Sequence, residues 1–284
     1  MTNQNVPPLP GVAFIGGGQM ARALIAGLHA AGQPTTTLAV ADVSAEARAA
    51  LERDFPGLFT TIDPATAAAR ATTWVFAVKP QQMEAVVRSL ASLAASLQPV
   101  VISVAAGTRI AQLREWLGTD LPVVRTMPNR PAFVGAGVTG LHAAATVAPA
   151  AREVATALMG AAGSCVWVDE ERQLDAVTAV SGSGPAYFFL MIEALAAAGE
   201  KLGLPPATAR QLAVDTAYGA GTMARRTGVS PAQLREEVTS KGGTTAAALA
   251  VLEDGGFRAL LEAAVEAADR RAGELGGGRP SSDP

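Results

Sequence analysis

A glycine turn, Gly16-Gly17-Gly18, stands between an apolar run at residues 12–15 and a helix-forming run at residues 19–31. Gly16 permits a tight turn, Gly18 lets a ligand approach the backbone, and Ala21 lets the helix pack closely on the strand. The free amides and the positive dipole end of such a helix bind anions. The pattern predicts a site for a dinucleotide pyrophosphate. The residues assigned to it are Gly16, Gly18, Gln19 and Met20.

Up to residue 168, short β-rich runs alternate with longer alanine-rich helical runs. This alternation is typical of a parallel sheet with crossover helices. Strands are predicted at residues 12–15, 37–41, 73–78, 100–104, 123–127, 138–141 and 165–168. Helices are predicted at residues 19–31, 44–53, 81–96, 110–117 and 149–162. The expected fold class is α/β, a doubly wound parallel sheet of the Rossmann type.

After Asp169 the strand-like runs stop, and the remaining segments are typical of helices separated by glycine- and proline-rich breaks. The last nine residues lack apolar anchors, which is typical of disorder. The predicted organisation is a Rossmann domain at 1–168, an all-helical substrate and dimerisation domain at 169–275, and a disordered tail at 276–284.

The first helix of the second half, predicted at residues 172–202, is apolar over most of its circumference. A helix of this kind must be buried on all sides. A domain of roughly a hundred residues offers it too few neighbours. We therefore expect an obligate homodimer that forms through the helical domain.

The composition argues against several classes of partner. A formal net charge of -3 over 284 residues supplies no basic field for a nucleic acid or an acidic membrane. The single cysteine, Cys165, lies in an apolar run and is interpreted as a small hydrophobic residue rather than a reactive thiol. Residues 1–10 show no signal pattern, and no apolar run reaches the length of a membrane span. We expect a cytoplasmic protein without a metal.

Asp42 follows the second predicted strand, where an acidic side chain would bond the adenosine ribose hydroxyls of a dinucleotide. A carboxylate there favours NADH and repels the 2′-phosphate of NADPH, although both cofactors are plausible. The alternative is that Asp42 caps the next helix, for which Ser44 is the better residue. Arg48 on that helix is the cation that could reach the same position.

Three further segments end strands at the carboxyl edge of the sheet, where doubly wound folds bind ligands. Lys79 follows a buried strand, so we expect it to face the cofactor crevice rather than solvent. Asn129 lies in a rigid turn, where its amide either holds the nicotinamide or closes an Asx turn. The cofactor residues predicted from these segments are Ala77, Val78, Lys79, Pro80, Ala105, Ala106, Gly107, Met127, Pro128 and Asn129.

Two segments of the helical half contain more glycine and hydroxyl residues than packing requires. Ser181-Gly182-Ser183-Gly184 interrupts an apolar helix, which suggests close approach of a ligand or a partner backbone. The run from Ser240 to Thr245 presents consecutive amides and three hydroxyls just before a helix. The second segment predicts an anion cradle suited to a carboxylate.

Together these segments resemble the pyrroline-5-carboxylate reductase family. The order and spacing hold from about Val12 to Leu275, and the two helical-domain motifs are specific to the family. The matching segments are 14–20, 77–80, 104–107, 125–129, 179–187, 239–245 and 251–258. The resemblance implies hydride transfer from NADPH or NADH to the C=N carbon of 1-pyrroline-5-carboxylate, which gives L-proline. It also implies a homodimer, or a larger ring of dimers.

The resemblance further implies roles at the substrate end. Thr245 would donate a hydrogen bond to the ring nitrogen, while Ser240, Gly243 and Thr244 would hold the carboxylate. A C=N carbon accepts hydride more readily when its nitrogen is protonated or hydrogen-bonded. A threonine hydroxyl is too weak an acid to claim full proton transfer. Thr245 and Ser240 are assigned as catalytic, and the substrate-binding set is Ser240, Gly242, Gly243, Thr244, Thr245, Ser181 and Ser183.

Two residues depart from those that many family members carry. Lys241 stands where proline is common, and it either complements the substrate carboxylate or points to solvent. Arg130 stands where threonine is common, beside the nicotinamide segment, and is a candidate partner of a cofactor phosphate.

Two other functions fit parts of the sequence. A β-hydroxyacid dehydrogenase or imine reductase shares the domain order, but hydroxyacid dehydrogenases place a catalytic lysine on the interdomain helix, and here Lys201 lies only near its far end. A non-catalytic NAD(P)-binding regulator would need no cradle before residue 246. His29 and His142 are interpreted as exposed or structural side chains.

Overall fold

The computed structural model describes residues 9–277. Within them the strands are β1 (Val12–Ile15), β2 (Leu38–Ala41), β3 (Phe59–Thr61), β4 (Thr73–Phe76), β5 (Val100–Ser103), β6 (Val123–Met127), β7 (Gly137–Ala143) and β8 (Gly163–Trp167). They form one sheet of order β3-β2-β1-β4-β5-β6-β7-β8. Neighbouring strands are parallel except β6 and β7, which are antiparallel. The predicted α/β class is confirmed, with one antiparallel pair that was not predicted.

Helices cover both faces of this sheet. The helices up to residue 182 are α1 (Gln19–Ala30), α2 (Ala45–Asp54), α3 (Pro64–Ala68), α4 (Pro80–Ser89), α5 (Ala91–Leu97), α6 (Ile110–Leu117), α7 (Pro149–Gly160) and α8 (Gln173–Val177). Along β1, Val12 and Phe14 pack into the core on one face, and Ala13 and Ile15 into the core on the other. Strands buried on both faces need continuous apolar runs. β1 has its predicted range, whereas β4 ends at Phe76, two residues before the predicted end.

Two elements, β3 and α3, were not predicted. β3 has three residues and lies at the edge of the sheet. α3 begins at Pro64 and is capped by Asp63, whose carboxylate accepts hydrogen bonds from the amides of Ala65 and Thr66. The predicted helix at 81–96 is instead two helices, α4 and α5, which meet at the fully buried Leu90. Short elements like these carry too few residues for a periodic signal.

The chain divides into two compact units, which differ from the predicted boundary at 168/169. The first contains the residues up to Gly182 together with those from Ala268 onward, and the second is Ser183–Ala267. α8 belongs to the first unit, where its Asp175 and the preceding Glu171 pair with arginines of the sheet domain. The predicted disordered tail began at 276, but Gly276 is buried and its amide donates to Ala272 O. The rest of that predicted tail, 278–284, lies outside the described residues.

The second unit is helical, as predicted. Its helices are α9 (Gly184–Lys201), α10 (Pro206–Thr227), α11 (Pro231–Glu237), α12 (Thr244–Asp254) and the first part of α13 (Phe257–Leu275). α9 packs on α10 where Gly199 meets Ala209. The predicted continuous helix at 172–202 is instead α8, a π-helical turn at Thr178–Gly182 and α9.

Much of the apolar surface of this unit is exposed. Phe188, Phe189 and Leu190 on α9 each expose more than half of their surface. Among residues 9–277, the helical run Gln173–Lys201 is long and apolar enough, by length and composition alone, to cross a membrane. A helix of a soluble protein that packs against another chain meets the same criteria of length and composition. The exposed apolar face of α9 is a surface of the kind that other molecules bury.

Candidate active site

The glycine turn packs directly against the end of β4. Gly16 has φ +106, and a Cβ atom on it would lie 2.7 Å from the carbonyl oxygen of Ala77 and 2.9 Å from the amide nitrogen of Val78. Its amide donates to Ala41 O at 2.8 Å. Only glycine satisfies both the positive φ and the close approach. The structure thus brings Gly16, Ala77 and Val78 together at the carboxyl edge of the sheet.

Gly18 and the first turn of α1 leave space for an anion. A Cβ atom on Gly18 would meet nothing within 4 Å. Gly18 is the N-cap of α1, and no side chain caps this helix end. The first amides of a helix have no partner within the helix and carry its positive dipole end. Gln19 is exposed and Met20 half-buried in this turn, so the residues present fit the pyrophosphate of a dinucleotide.

Asp42 holds the turn with both carboxylate oxygens. Oδ2 accepts from the amide of Gly17, and Oδ1 accepts from the amide of Ser44, each at 2.7 Å. Ser44 caps α2 by accepting from Ala47 N, and Arg48 Nη1 donates to the carbonyl oxygen of Asp42 at 2.6 Å. The helix cap is therefore Ser44. The carboxylate of Asp42 is fixed, half-buried, beside the glycine turn.

The ends of β4 and β5 lie side by side. The amide of Ala77 donates to Ile15 O at 2.8 Å, and that of Val104 donates to Phe76 O at 3.1 Å. The loop after β5 continues through Ala105, Ala106 and Gly107, with Ala105 N bonded to Ser103 Oγ. Lys79 is exposed and begins α4, followed by Pro80 at the first helical position. These segments form one edge, next to the glycine turn.

Asn129 uses its amide within the protein. Nδ2 donates to Ser181 O at 3.0 Å, and Oδ1 accepts from Val138 N at 2.9 Å. Met127, two residues earlier, lies against Gly182, where a Cβ atom would fall 2.7 Å from Met127 Cε. Asn129 and the intervening Pro128 are buried. Asn129 therefore ties the end of β6 to the π-helical turn, a third role that the two sequence alternatives did not include.

Ser181 and Ser183, which were predicted together, fall in different compact units. The hydroxyl of Ser181 donates to Val177 O at 3.1 Å, four residues back in the turn. Ser183 is the N-cap of α9 and makes no side-chain capping bond.

A charge network built on the buried Arg125 and Asp175 lies beside these loops and was not predicted. Arg109 Nη2 lies 2.5 Å from Asp175 Oδ2, and Arg125 lies 3.3 Å from Glu171 and 3.5 Å from Asp175. Burial, and next the neighbouring Arg109 charge, lower the pKa of Arg125, while Glu171 and Asp175 raise it. The partners lie 46 to 66 residues apart in sequence. The signal in the sequence was a pair of acidic residues four positions apart, Glu171 and Asp175. Such pairs are too common to be assigned to an ion-pair network from the sequence.

The anion cradle of the second unit is a glycine turn that opens α12. Gly242 has φ +74, and a Cβ atom on Gly243 would lie 2.5 Å from Ser240 Oγ. Gly243 N donates to Ser240 O at 3.1 Å, and Gly243 is the N-cap of α12 with no side-chain capping bond. The first amides of α12 are therefore open to an anion.

Three hydroxyl residues surround this helix end. Ser240 and Thr244 are exposed, and Thr245 is half-buried. Thr239, just before them, uses its hydroxyl on Arg235 O at 2.5 Å. The structure brings Ser240, Gly243 and Thr244 into one turn at the start of α12.

The two departures from the family pattern both reach the surface. Lys241 is exposed, as are Ser240 and Thr244 of the same turn. Arg130 is also exposed, and its guanidinium lies 5.6 Å from the centroid of the Phe133 ring. Neither side chain makes a buried ion pair in the described part of the chain.

The other titratable candidates have structural surroundings. His29 packs edge-on against Phe55, and His142 Nδ1 lies 3.1 Å from Val168 O. Burial raises the pKa of the Cys165 thiol from 9.0 to about 11, which keeps it protonated and supports its interpretation as a hydrophobic residue. Residues 9–277 contain no group of three or more potential metal ligands.

Two family models match the chain. Residues 171–275 match the model described as pyrroline-5-carboxylate reductase dimerisation. Residues 11–107 match the model described as NADP oxidoreductase, coenzyme F420-dependent. The first covers the helical half and the cradle, and the second covers the glycine turn, Asp42 and the loop after β5.

Similar proteins cover nearly the whole chain. It is 48% identical over 266 residues to the pyrroline-5-carboxylate reductase of Pseudomonas aeruginosa, covering 94% of this chain and 97% of the relative. A solved pyrroline-5-carboxylate reductase from Coxiella burnetii is 42% identical with a TM-score of 0.91, and one from Plasmodium falciparum with NADP bound is 29% identical with a TM-score of 0.81. Each match covers 94% of this chain and 98% of the solved chain. The chain therefore belongs to the pyrroline-5-carboxylate reductase family of NAD(P)-dependent oxidoreductases.

Proposed function

We propose that this chain reduces 1-pyrroline-5-carboxylate to L-proline with NADPH or NADH, the last step of proline biosynthesis. The observation that carries the proposal is the cradle at the start of α12. It offers open helix amides and hydroxyls suited to a carboxylate, in a chain whose other unit has an open glycine turn suited to a dinucleotide.

The cradle residues divide into two tasks. Ser240, Gly242, Gly243 and Thr244 hold the substrate carboxylate through the amides and hydroxyls of the turn. Thr245, half-buried, donates a hydrogen bond to the ring nitrogen. This bond favours the positive charge that makes the C=N carbon electrophilic, and no full proton transfer is assigned to the hydroxyl.

The cofactor is held at the carboxyl edge of the sheet. The amides of Gly18, Gln19 and Met20 bind the pyrophosphate, and the loops after β4, β5 and β6 line the nicotinamide end. They contribute Ala77, Val78, Lys79, Pro80, Ala105, Ala106, Gly107, Met127 and Pro128. The bound nicotinamide supplies the hydride. Asn129 supports the loop after β6 by donating a hydrogen bond to the carbonyl oxygen of Ser181.

Asp42 favours NADH over NADPH. Its carboxylate is fixed by two amides beside the glycine turn, and a fixed negative charge there repels a 2′-phosphate. Arg48 lies close enough to bond the Asp42 carbonyl and partly offsets that repulsion. The Plasmodium falciparum relative was solved with NADP bound, so NADPH is retained as a second cofactor.

The assembly we propose is a homodimer in the cytoplasm. The exposed apolar face of α9 needs a cover, and the matching dimerisation model spans this helix. A second copy of the chain covers it better than a membrane does, because Glu193, Glu200 and Lys201 lie on the same helix. Larger rings would be built from several copies of this homodimer.

The test is a spectrophotometric assay of NADH and NADPH oxidation with 1-pyrroline-5-carboxylate, run side by side. We expect turnover with both cofactors and a higher kcat/KM with NADH. In the Asp42→Ser variant we expect the NADPH to NADH ratio of kcat/KM to rise about tenfold or more. An enzyme inactive with both cofactors would contradict the reaction, and a wild-type preference for NADPH would contradict the role of Asp42.

A further inference from the structure

The last described turn of the chain packs on the loop that follows β5. A Cβ atom on Gly107, which has φ +81, would lie 2.8 Å from the carbonyl oxygen of Leu275. Gly276 lies on the Arg109 guanidinium, where its Cβ would fall 2.8 Å from Nη2 and 2.9 Å from Nε. Gly276 is buried, and these residues belong to one compact unit. The end of α13 therefore packs directly against this loop.

The same loop is fastened on its other side by Asp175 of α8 and by Glu171, which lies two residues before that helix. Asp175 holds the Arg109 guanidinium, and Glu171 Oε1 accepts from Ile110 N at 2.9 Å. Glu171 and Asp175 are themselves fixed by the buried Arg125. Arg109 is thus clamped between the carboxylate of Asp175 and the backbone of Gly276.

This loop carries Ala105, Ala106 and Gly107 at the carboxyl end of β5, beside the end of β4. These three residues have side chains too small to hold the loop in one conformation. A ligand binds more tightly to a loop that is already ordered before the ligand arrives. We propose that the C-terminal turn, residues 275–277, is a positioning element of the cofactor site, in which Gly276 acts through Arg109 to hold the loop 104–109. This rests on the proposed placement of the cofactor at that loop.

Gly276→Ala tests the contact with a single methyl group. Gly276 does not have a positive φ, so the added Cβ acts by displacing the Arg109 guanidinium from Asp175. The matched control is Gly273→Ala, three residues earlier, where a Cβ meets nothing within 4 Å. We expect Gly276→Ala to weaken NADH and NADPH binding, titrated by nucleotide fluorescence, by about fivefold to tenfold, with kcat at saturating cofactor little changed. Gly273→Ala should bind as wild type does.

A double variant separates positioning from general loss of stability. If Gly276 acts through Arg109, then adding Gly276→Ala to Arg109→Ala should weaken binding no further. Amide hydrogen exchange over residues 104–109 should become faster in Gly276→Ala and stay unchanged in Gly273→Ala. Additive losses, or Gly276→Ala binding cofactor as Gly273→Ala does, would overturn the proposal. Faster exchange with unchanged affinity would also overturn it, because the contact would then not serve the cofactor.

The readout is independent of the reaction. Cofactor titration and hydrogen exchange require no turnover, so a chain that binds NADH but fails to reduce the imine would contradict the proposed function alone. A chain that reduces the imine, with Gly276→Ala equal to its control, would contradict the positioning element alone.

Discussion

Gly16 and Gly18 lie two residues apart in one turn, and they need to be glycine for different reasons. Gly16 has a positive φ and no room for a Cβ against Ala77, whereas Gly18 has open space. The sequence predicted both roles, because the pattern after a strand implies one glycine for the fold and one for the ligand. It did not predict the two amide bonds of Asp42, since these depend on the closed turn.

This difference predicts opposite behaviour of two alanine variants. Gly16→Ala should lower the thermal midpoint and abolish cofactor binding, because strain and a backbone clash act on the folded state. Gly18→Ala should fold nearly as wild type does and lose cofactor affinity, because its methyl group occupies the space of the pyrophosphate. Thermal unfolding and nucleotide titration of the two purified variants measure this. Equal loss of stability in both would contradict the assignment.

The proposed substrate role of Thr245 rests on its hydroxyl, which would donate a hydrogen bond to the ring nitrogen. Thr245→Val removes the donor to the ring nitrogen while keeping the shape, and we expect kcat to fall about 100-fold. Thr245→Ser restores a hydroxyl and should recover most of the rate. Steady-state kinetics at saturating cofactor give both values. A Thr245→Val enzyme as fast as the wild type would remove this residue from the reaction.

At the scale of elements, the central strands were predictable and the short edge elements were not. β1 and β4 are buried on both faces, so their sequences are almost continuously apolar. The break between α8 and α9 was not placed, although Ser181-Gly182-Ser183-Gly184 was recognised as an interruption, because small residues and hydroxyls weaken a helix without fixing where it ends. Asn129 and Ser181, 52 residues apart in sequence, show why the break matters: the π-helical turn presents a carbonyl to the end of β6.

The charge network behind the loops predicts a large cost for one substitution. Asp175→Asn leaves the arginines Arg109 and Arg125 with one carboxylate between them, and we expect the free energy of unfolding to fall by about 3 kcal/mol. Glu84→Ala, which breaks the exposed pair with Arg88, is the control and should cost about 0.5 kcal/mol or less. Urea denaturation of both variants tests this. Similar midpoints would mean that the buried network does not stabilise the fold.

At the scale of the whole molecule, the packing of the C-terminal turn escaped sequence reasoning, whereas the exposed apolar surface of α9 was anticipated. The C-terminal glycines were interpreted as the start of a tail, yet Gly276 is buried against Arg109. Its partner lies more than 160 residues earlier, and nothing in the local composition marks a contact at that range. The apolar α9 was interpreted as needing burial, and within one chain most of its side chains remain exposed.

The exposed apolar face of α9 predicts the oligomeric state of the protein in solution. Sedimentation at micromolar concentration should give a dimer or a multiple of it, because an apolar surface of this size is covered in solution. Phe189→Asp should dissociate or destabilise the assembly. Ile62→Asp, at an exposed apolar residue of the first unit, should leave it intact. A wild-type monomer would contradict the assembly proposed for this chain.

The central claim is that hydride moves from the nicotinamide to the C=N carbon of a cyclic imino acid. The most direct measurement uses NADH carrying deuterium at both C4 positions of the nicotinamide, with 1-pyrroline-5-carboxylate as the acceptor. Mass spectrometry and NMR should find proline with one deuterium, on the ring carbon bonded to nitrogen and lacking the carboxylate. Proline without deuterium, or no proline from either cofactor, would contradict the account.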